Sequence, residues 1–206
     1  NAIANTPANG TVLVTKDFTL KDRIFVDKNL TIDGNGKTIT GRSGTSSYKA
    51  DFIFNKDTAD ITMKDITLTG GKFHAISATV KTLTLKNVTV NGYDTTGFDA
   101  TTNGSGAALT VDKGLVTCDG CTFTNNKAPH GGAIYVWMGY YTTNARVECK
   151  GCTFTGNTAV HSNGGAVCVM KTQETSTFTN CAFTNNAATK YEGTTTTGGN
   201  GGAIYV

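Results

Sequence analysis

One repeated pattern constrains the fold of this chain more than any other feature of its sequence. Two apolar residues alternate with polar ones, a two-residue bend follows, and two further apolar residues alternate in the same way. The pattern occurs at residues 61–70 (ITMKDITLTG), 83–92 (LTLKNVTVNG), 116–126 (VTCDGCTFTNN), 147–157 (VECKGCTFTGN) and 176–186 (STFTNCAFTNN), and with a longer bend at 30–41 (LTIDGNGKTITG). Alternation with a period of two is typical of β-strands, and copies spaced 22 to 33 residues apart indicate a solenoid with one coil per copy.

A second pattern follows the later copies. It reads GAALTV at residues 106–111, GGAIYV at 131–136 and 201–206, and GGAVCV at 164–169. Short strands joined by polar bends and unequal loops predict an all-β, right-handed, single-stranded parallel β-helix of about seven coils. We expect the β-helix domain over residues 11–206, a truncated N-terminal cap at residues 1–10, and a C-terminus that is open or truncated.

The alternation also predicts which side chains face the core. The inward set of the copy at residues 116–126 is Val116, Cys118, Cys121 and Phe123. Successive coils are expected to stack equivalent side chains in columns with a spacing of about 4.8 Å. One column at a bend contains Asn126, Asn157 and Asn186, whose amides are expected to hydrogen-bond along the stack. The glycine pairs of the GGA copies predict a corner with positive φ or close backbone approach.

The charge and hydropathy of the chain argue against two classes of partner. Charged residues make up 16% of the sequence, and the formal net charge is +3 without a cluster of Lys and Arg. A nucleic-acid partner is therefore not expected. No segment approaches the roughly 18 apolar residues that a membrane span requires, so no transmembrane segment is expected.

Three paired motifs in the second half resemble a known repeat. FTNN at residues 123–126, FTGN at 154–157 and FTNN at 183–186 are each followed by GGAI or GGAV. Over residues 115–206 these motifs resemble the repeats of the polymorphic outer membrane protein family, whereas the first half resembles the pectate-lyase-like β-helix superfamily only in general. The family resemblance implies an extracellular protein, secreted or at the cell surface, with an adhesin-like function. Its implied partner is a glycan or protein on a host or microbial surface.

Five of the six cysteines fall into inward columns. They are Cys118 and Cys149 in one column, and Cys121, Cys152 and Cys181 in another. Two CxxC pairs would ordinarily suggest zinc, but inward columns favour buried thiols or disulfides, and no metal site is predicted. Cys168 aligns instead with Tyr135 and Tyr205 in an outward column and is expected to be exposed.

The carboxylates do not form an arrangement typical of β-helix enzymes. Glycoside hydrolases require a pair of carboxylates at a set separation, and lyases commonly require clustered acids for a cation. Asp112, Asp119 and Glu148 are the nearest candidates, but they do not align as a carboxylate ladder. The three histidines are expected to be solvent-exposed loop residues. We therefore predict no catalytic residue and no cofactor, and a polysaccharide lyase or hydrolase is the less favoured alternative.

Aromatic residues around one loop are the predicted ligand-binding candidates. Trp137, Tyr140 and Tyr141 lie in the loop at residues 137–144, and Tyr135 and Tyr205 lie in a nearby outward column. Aromatic rings with polar tips make efficient contacts with sugars and proteins. Packing of Trp137 over an edge of the core is the alternative explanation for these residues.

Two other functions stay open. Outward threonines form T-x-T rows at residues 67–69, 122–124 and 153–155, and such an array can order water as in an ice-binding solenoid. Threonine is, however, also a favourable residue on any exposed strand. If both ends of the β-helix are uncapped, their strands can pair head to tail, which would make the chain a subunit of a self-assembling extracellular filament.

Overall fold

The chain folds as a stack of short parallel strands wound into a solenoid. The structure, a computed structural model, describes residues 2–44, 50–97, 105–137, 144–160, 163–170, 172, 174–189 and 199–206. A short helix, α1 (Ala2–Asn5), precedes the first coil. The Lys28 ammonium group donates hydrogen bonds to the carbonyl oxygens of Ala4 and Thr6, which holds this segment against the solenoid. In the part of the chain that is described, no helix has the length and apolar character that a membrane crossing requires.

Four consecutive strands are long, whereas the strands of the first coil and those that follow the four are short. The first coil contains β1 (Thr11–Leu13), β2 (Phe18–Thr19) and β3 (Ile24–Val26), and the following coils contain β4 (Leu30–Thr40), β5 (Ala50–Thr69), β6 (His74–Asn91) and β7 (Leu109–Asp119). The later strands are β8 (Thr122–Thr124), β9 (Lys127–Ala128), β10 (Ile134–Trp137), β11 (Ala145–Lys150), β12 (Thr153–Thr155), β13 (Thr158–Ala159), β14 (Val167–Met170), β15 (Thr177–Thr179), β16 (Ala182–Thr184), β17 (Ala187–Ala188) and β18 (Ile204–Tyr205).

All strand pairs among the described residues are parallel, and their register joins equivalent positions of successive coils. One outward column shows the stacking over the whole length of the chain. It runs through Thr11, Thr31, Thr62, Thr84, Thr117, Glu148 and Thr177. These seven positions represent seven coils, and the predicted parallel β-helix is confirmed.

The core consists of inward columns in which like side chains stack. One column contains Ile39, Leu68, Val90, Phe123, Phe154 and Phe183. The Phe154 ring lies 5.0 Å from the Phe123 ring and 4.6 Å from the Phe183 ring, nearly parallel to both. Offset stacking of this kind adds to the free energy gained by burying the rings. The inward set predicted for residues 116–126 is buried as expected.

The GGA copies form the predicted corner. The first glycine of the pair has positive φ in three successive coils, 53° at Gly131, 65° at Gly164 and 63° at Gly201. A Cβ atom at Gly131 would collide with the carbonyl oxygen of Ile134, so both the backbone conformation and the lack of space require glycine. This tight corner sets the position of the strand that follows it, which is β10, β14 or β18.

The asparagine ladder is also confirmed. The Asn157 Nδ2 group donates to the side chain of Asn186 (2.9 Å) and to the carbonyl oxygen of Phe123 (2.9 Å), while its Oδ1 accepts hydrogen bonds from the backbone and side chain of Asn126 (both 3.0 Å). Asn126 and Asn157 are fully buried. Because each amide satisfies polar groups on neighbouring coils, the ladder fixes the register of this bend.

Candidate functional site: an aromatic surface beside a buried thiol cluster

An aromatic surface covers the outward side of β10 and β14. Register pairs Tyr135 with Cys168 and Trp137 with Met170, so that two outward columns run side by side across these coils. The Tyr135 and Trp137 ring centroids are 6.5 Å apart with a 34° tilt. The centroid of the His130 ring lies 6.4 Å from that of Tyr135, with an angle of 28° between the ring planes. We call His130, Tyr135, Trp137 and Met170 the aromatic surface.

The rings of the aromatic surface are held in place while still reaching solvent. Tyr135, Trp137 and His130 are half-buried. The Tyr135 hydroxyl donates to the Met170 sulfur at 3.7 Å, which orients the phenol across the neighbouring coil. Burial raises the pKa of Tyr135 to about 12, so its hydroxyl stays protonated at neutral pH. The surface therefore presents ring faces and a hydroxyl group in a fixed arrangement.

A carboxylate lies beside these rings. Val111 pairs with Val136, which places the following residue, Asp112, one coil from Trp137. Although the residue as a whole is exposed, its carboxyl group is crowded by protein atoms, and this loss of hydration raises its pKa to about 6. At neutral pH the group is an anion that can accept hydrogen bonds next to the aromatic surface.

The sequence-predicted binding residues are only partly brought together. Tyr135 and Trp137 are neighbours, whereas Tyr205 pairs with Cys168 and so lies two coils from Tyr135. Tyr140 and Tyr141 lie outside the described residues. Sequence analysis missed His130, Met170 and the position of Asp112 as parts of this surface. Alignment of the GGA copies one residue beyond their shared valine would have placed Asp112, Trp137 and Met170 in one column.

Cys168 corrects one prediction. Its position in the outward column with Tyr135 and Tyr205 is as expected, but the residue is fully buried rather than exposed. A cysteine side chain is short, and it lies between two much larger side chains on the adjacent coils. Burial raises the pKa of its thiol to about 12.

The other five cysteines occupy the inward columns as predicted. Cys149 pairs directly with Cys118 in the neighbouring coil and with Phe178 in the next. Each later column member donates its S–H to a backbone carbonyl of the preceding coil, Cys152 to Cys118 (3.4 Å) and Cys181 to Cys149 (3.5 Å). All six cysteines are free in the structure.

Four of these cysteines occupy two adjacent inward positions in two successive coils. Register pairs Cys118 with Cys149, and the hydrogen bond from the Thr153 N–H to the Cys121 carbonyl oxygen places Cys152 next to Cys121. We call Cys118, Cys121, Cys149 and Cys152 the thiol quartet. Interaction with Cys118 and Cys152 lowers the pKa of the Cys121 thiol, whereas interaction with Cys121 and Cys149 raises the pKa of the Cys118 thiol.

The histidines and carboxylates do not assemble into a metal site. Within the described ranges, no group of three or more His, Cys, Asp or Glu residues is arranged to hold a metal ion. His74 was expected to be exposed but is buried, because its Nδ1 forms a 2.9 Å hydrogen bond with the carbonyl oxygen of Gly106. Asp119 stacks between Lys86 and Lys150, and Glu148 between Thr117 and Thr177, so these acids stay separated by other residue types.

Three segments in the second half of the chain are similar to a known repeat. Residues 120–136, 151–169 and 180–206 match the family model of the Chlamydia polymorphic membrane protein repeat. The predicted resemblance to this repeat is therefore confirmed. No curated protein and no solved structure matches the chain.

The three matched segments correspond to the last three coils. Each begins at the bend before β8, β12 or β16, includes one member of the asparagine ladder, and ends in or at β10, β14 or β18. His130 and Tyr135 lie within the first matched segment, whereas Trp137 and Met170 directly follow the first and the second.

Proposed function

We propose that this chain is an adhesin-like binding domain at an extracellular surface, and that its aromatic surface holds a glycan. The observation that carries the proposal is the grouping of the Tyr135 ring with those of His130 and Trp137, with the Asp112 carboxylate close enough for its charge to act on Tyr135. The match to a membrane-protein repeat supports the surface location. No catalytic step is part of the proposal.

The chemistry of the surface fits a pyranose ring. Half-exposed aromatic rings offer apolar faces against which the C–H side of a sugar can stack, and such rings lose little conformational entropy on binding. An anionic carboxylate can accept hydrogen bonds from sugar hydroxyl groups. A strand-borne site of this kind is rigid, because β10 is paired on both sides, with β7 and with β14.

A glycan panel tests the proposal. Immobilised neutral and acidic glycans should reveal binders of the wild-type chain, and affinities should then be measured for Tyr135→Ala and Trp137→Ala. Because anchoring aromatic residues dominate binding energies, we expect each variant to weaken binding at least about tenfold. Phe25→Ala is the matched control, since Phe25 is an aromatic residue that is 47% exposed in the first coil, far from this surface. Equal affinity of all three variants and the wild type, or the absence of any binder, contradicts the proposal.

The pH dependence of binding gives a second readout. The pKa of Asp112, about 6, lies well above its usual value, so its carboxylate is present above that pH and becomes neutral below it. If the anion accepts hydrogen bonds from sugar hydroxyl groups, affinity should fall as the pH drops through about 6. Asp112→Asn should bind more weakly at pH 7 and lose this pH dependence. An unchanged pH profile in that variant would remove Asp112 from the site.

Ice binding is a second candidate, supported by the regularity of the threonine columns. The two columns are Thr38, Thr67, Thr89, Thr122, Thr153 and Ala182, and Thr40, Thr69, Asn91, Thr124, Thr155 and Thr184. Five of six positions are threonine in each, on one face with a coil spacing of about 4.8 Å. Thermal hysteresis that is present in the wild type and lost in Thr122→Tyr or Thr153→Tyr would favour this function. Hysteresis that survives these variants would exclude the threonine face.

A further inference from the structure

The thiol quartet is not explained by packing alone. In one column the quartet lies between Leu85 and Phe178, and in the other it lies between Val88 and Cys181. Cysteine occupies both inward positions of two consecutive coils, which brings four thiols together at one bend. Cys168 provides a contrast, because burial alone accounts for the raised pKa of its thiol.

We propose that the thiol quartet is a disulfide-forming site whose four thiols close into two disulfides when the protein folds in an oxidising compartment. Register supports pairing across coils, since Cys118 and Cys149 are direct partners. Stacked residues of parallel strands are about 4.8 Å apart at Cα, within the range of about 4.4 to 6.8 Å found in disulfides. Pairs across coils would fasten two successive coils to each other, and the Cys121–Cys152 pair would join the first two segments that match the repeat.

The oxidant is a low-molecular-weight disulfide such as oxidised glutathione. The Cys121 thiolate attacks one sulfur of that molecule, which forms a mixed disulfide and releases one glutathione thiolate. The deprotonated partner thiol then attacks the Cys121 sulfur, forms the protein disulfide and releases the second glutathione. Two protein thiols are oxidised, one glutathione disulfide is reduced, and the two protons end on the two glutathione thiols. A second round oxidises the other pair.

Burial determines when this exchange can happen. The four residues of the quartet are only 1% to 2% exposed, so an oxidant in solution does not reach them in the folded solenoid. Pairing therefore occurs while one coil is docking onto the other. Once formed, the disulfides are shielded in the same way and resist reduction until the coils separate. Surface location of the protein supplies the oxidising compartment in which such bonds persist.

The test is to refold the fully reduced chain in a buffer of reduced and oxidised glutathione. The product is then denatured and alkylated, with and without prior reduction, and its mass is measured by mass spectrometry. Without reduction we expect alkylation of two thiols, Cys168 and Cys181. After reduction we expect alkylation of all six, because the four thiols of the quartet are then also free. Trypsin cleaves after Lys150 and separates Cys149 from Cys152, and the protease Asp-N cleaves before Asp119 and separates Cys118 from Cys121, so that a double digest allows peptide mapping to assign the pairs. Native protein treated with a reductant should keep both disulfides until denaturant is added. Six alkylated thiols before reduction, disulfides to Cys168 or Cys181, or zinc retained by the reduced quartet would overturn the proposal.

Two double variants with equal numbers of substitutions sharpen the test. Cys118→Val with Cys149→Val leaves Cys121 and Cys152, which are stacked on successive coils. Cys118→Val with Cys152→Val leaves Cys121 and Cys149, which belong to different columns and different coils. We expect one disulfide and two free thiols, Cys168 and Cys181, in the first variant and four free thiols in the second, with similar β-sheet circular dichroism. Equal oxidation of both variants would show that the stacking of the quartet does not direct pairing, which contradicts the proposal. If either variant fails to fold, the mass and the peptide map of the wild-type protein still show whether the quartet forms two disulfides.

Discussion

One corner column of the solenoid is stabilised differently in the two halves of the chain. Backbone hydrogen bonds between successive coils place Arg42, Gly71, Tyr93, Asn126, Asn157 and Asn186 in this column. In the last three coils, neutral amides of one residue type form a ladder. In the earlier coils the column contains three unlike residues, and a buried ion pair takes the place of the ladder.

The ion pair is formed by residues on either side of a loop. Arg42 Nε donates to Asp51 Oδ1 at 2.8 Å, and Arg42 Nη2 donates to the carbonyl oxygen of Ala50 at 2.7 Å. The guanidinium also lies 4.2 Å from the centre of the Phe73 ring. Burial raises the pKa of Asp51, and the hydrogen bond and charge of Arg42 act against that rise. The pair is completed by the Tyr93 hydroxyl, which donates to Asp51 Oδ2 at 3.1 Å.

The polar groups at a repeated corner can thus form hydrogen bonds either with the adjacent coils only or with a side chain that reaches across two coils. Each asparagine serves only its neighbours, so the ladder can be extended by adding another copy of the repeat. The Tyr93 ring instead lies across Gly71, where any Cβ atom would collide with it, to reach Asp51 two coils away. That solution depends on one particular set of side chains and cannot be repeated along the column.

Removing Asp51 should have the largest effect. Asp51→Ala leaves the Arg42 guanidinium buried without its counter-charge, and breaking such a pair costs about 3 to 5 kcal/mol. Urea unfolding followed by circular dichroism measures the loss. Asp57→Ala is the matched control because the Asp57–Lys113 ion pair (3.0 Å) lies at the surface, and we expect a midpoint close to that of the wild type. Equal midpoints for the two variants would mean that the buried pair does not stabilise the first half.

Removing one member of the ladder should have an intermediate effect. Asn157→Ala abolishes four hydrogen bonds and leaves buried donors and an acceptor on adjacent coils unpaired, which we expect to cost about 3 kcal/mol. Asn186→Ala should cost less, because Asn186 is half-buried and its position can be hydrated. Hydrogen–deuterium exchange measured on individual peptides should show faster exchange in the last three coils for Asn157→Ala and in the earlier coils for Asp51→Ala. Exchange that rises uniformly along the chain in both variants would break the distinction between the halves.

The asparagine ladder could be predicted from the sequence but the ion pair could not, because only the residues of the ladder belong to a repeated pattern. Asn126, Asn157 and Asn186 recur at equivalent positions of a repeat, so their alignment and hydrogen bonding follow from stacking the copies. Arg42 and Asp51 flank a loop that differs in length and sequence from the segments after the same corner in other coils, and Tyr93 is 42 residues from Asp51 along the chain. Only three-dimensional structure brings these three together.

The candidate site shows the same limit. The columns that contain Tyr135, Tyr205 and the cysteines were predicted correctly from the repeats, because each of these residues belongs to an aligned copy. It did not predict that Cys168 is buried, since burial depends on the size of neighbouring side chains rather than on the face to which a residue points. Nor did it group His130 and Asp112 with Tyr135, because these residues lie outside the copies that were aligned.

The smallest loss of stability is expected for a substitution of Tyr93, which hydrogen-bonds both to the ion pair and to the asparagine ladder. Its backbone N–H donates to Asn126 Oδ1 at 3.1 Å, and its hydroxyl donates to Asp51. Tyr93→Phe keeps the ring and the bond to the ladder and removes only the hydroxyl, so we expect a loss of about 1.5 kcal/mol. Urea unfolding of this variant, of Asn157→Ala and of the double variant completes a cycle. Separate networks should give additive losses within about 0.5 kcal/mol. A larger coupling energy would mean that Tyr93 transmits strain between the ion pair and the ladder, and that the two halves form a single network.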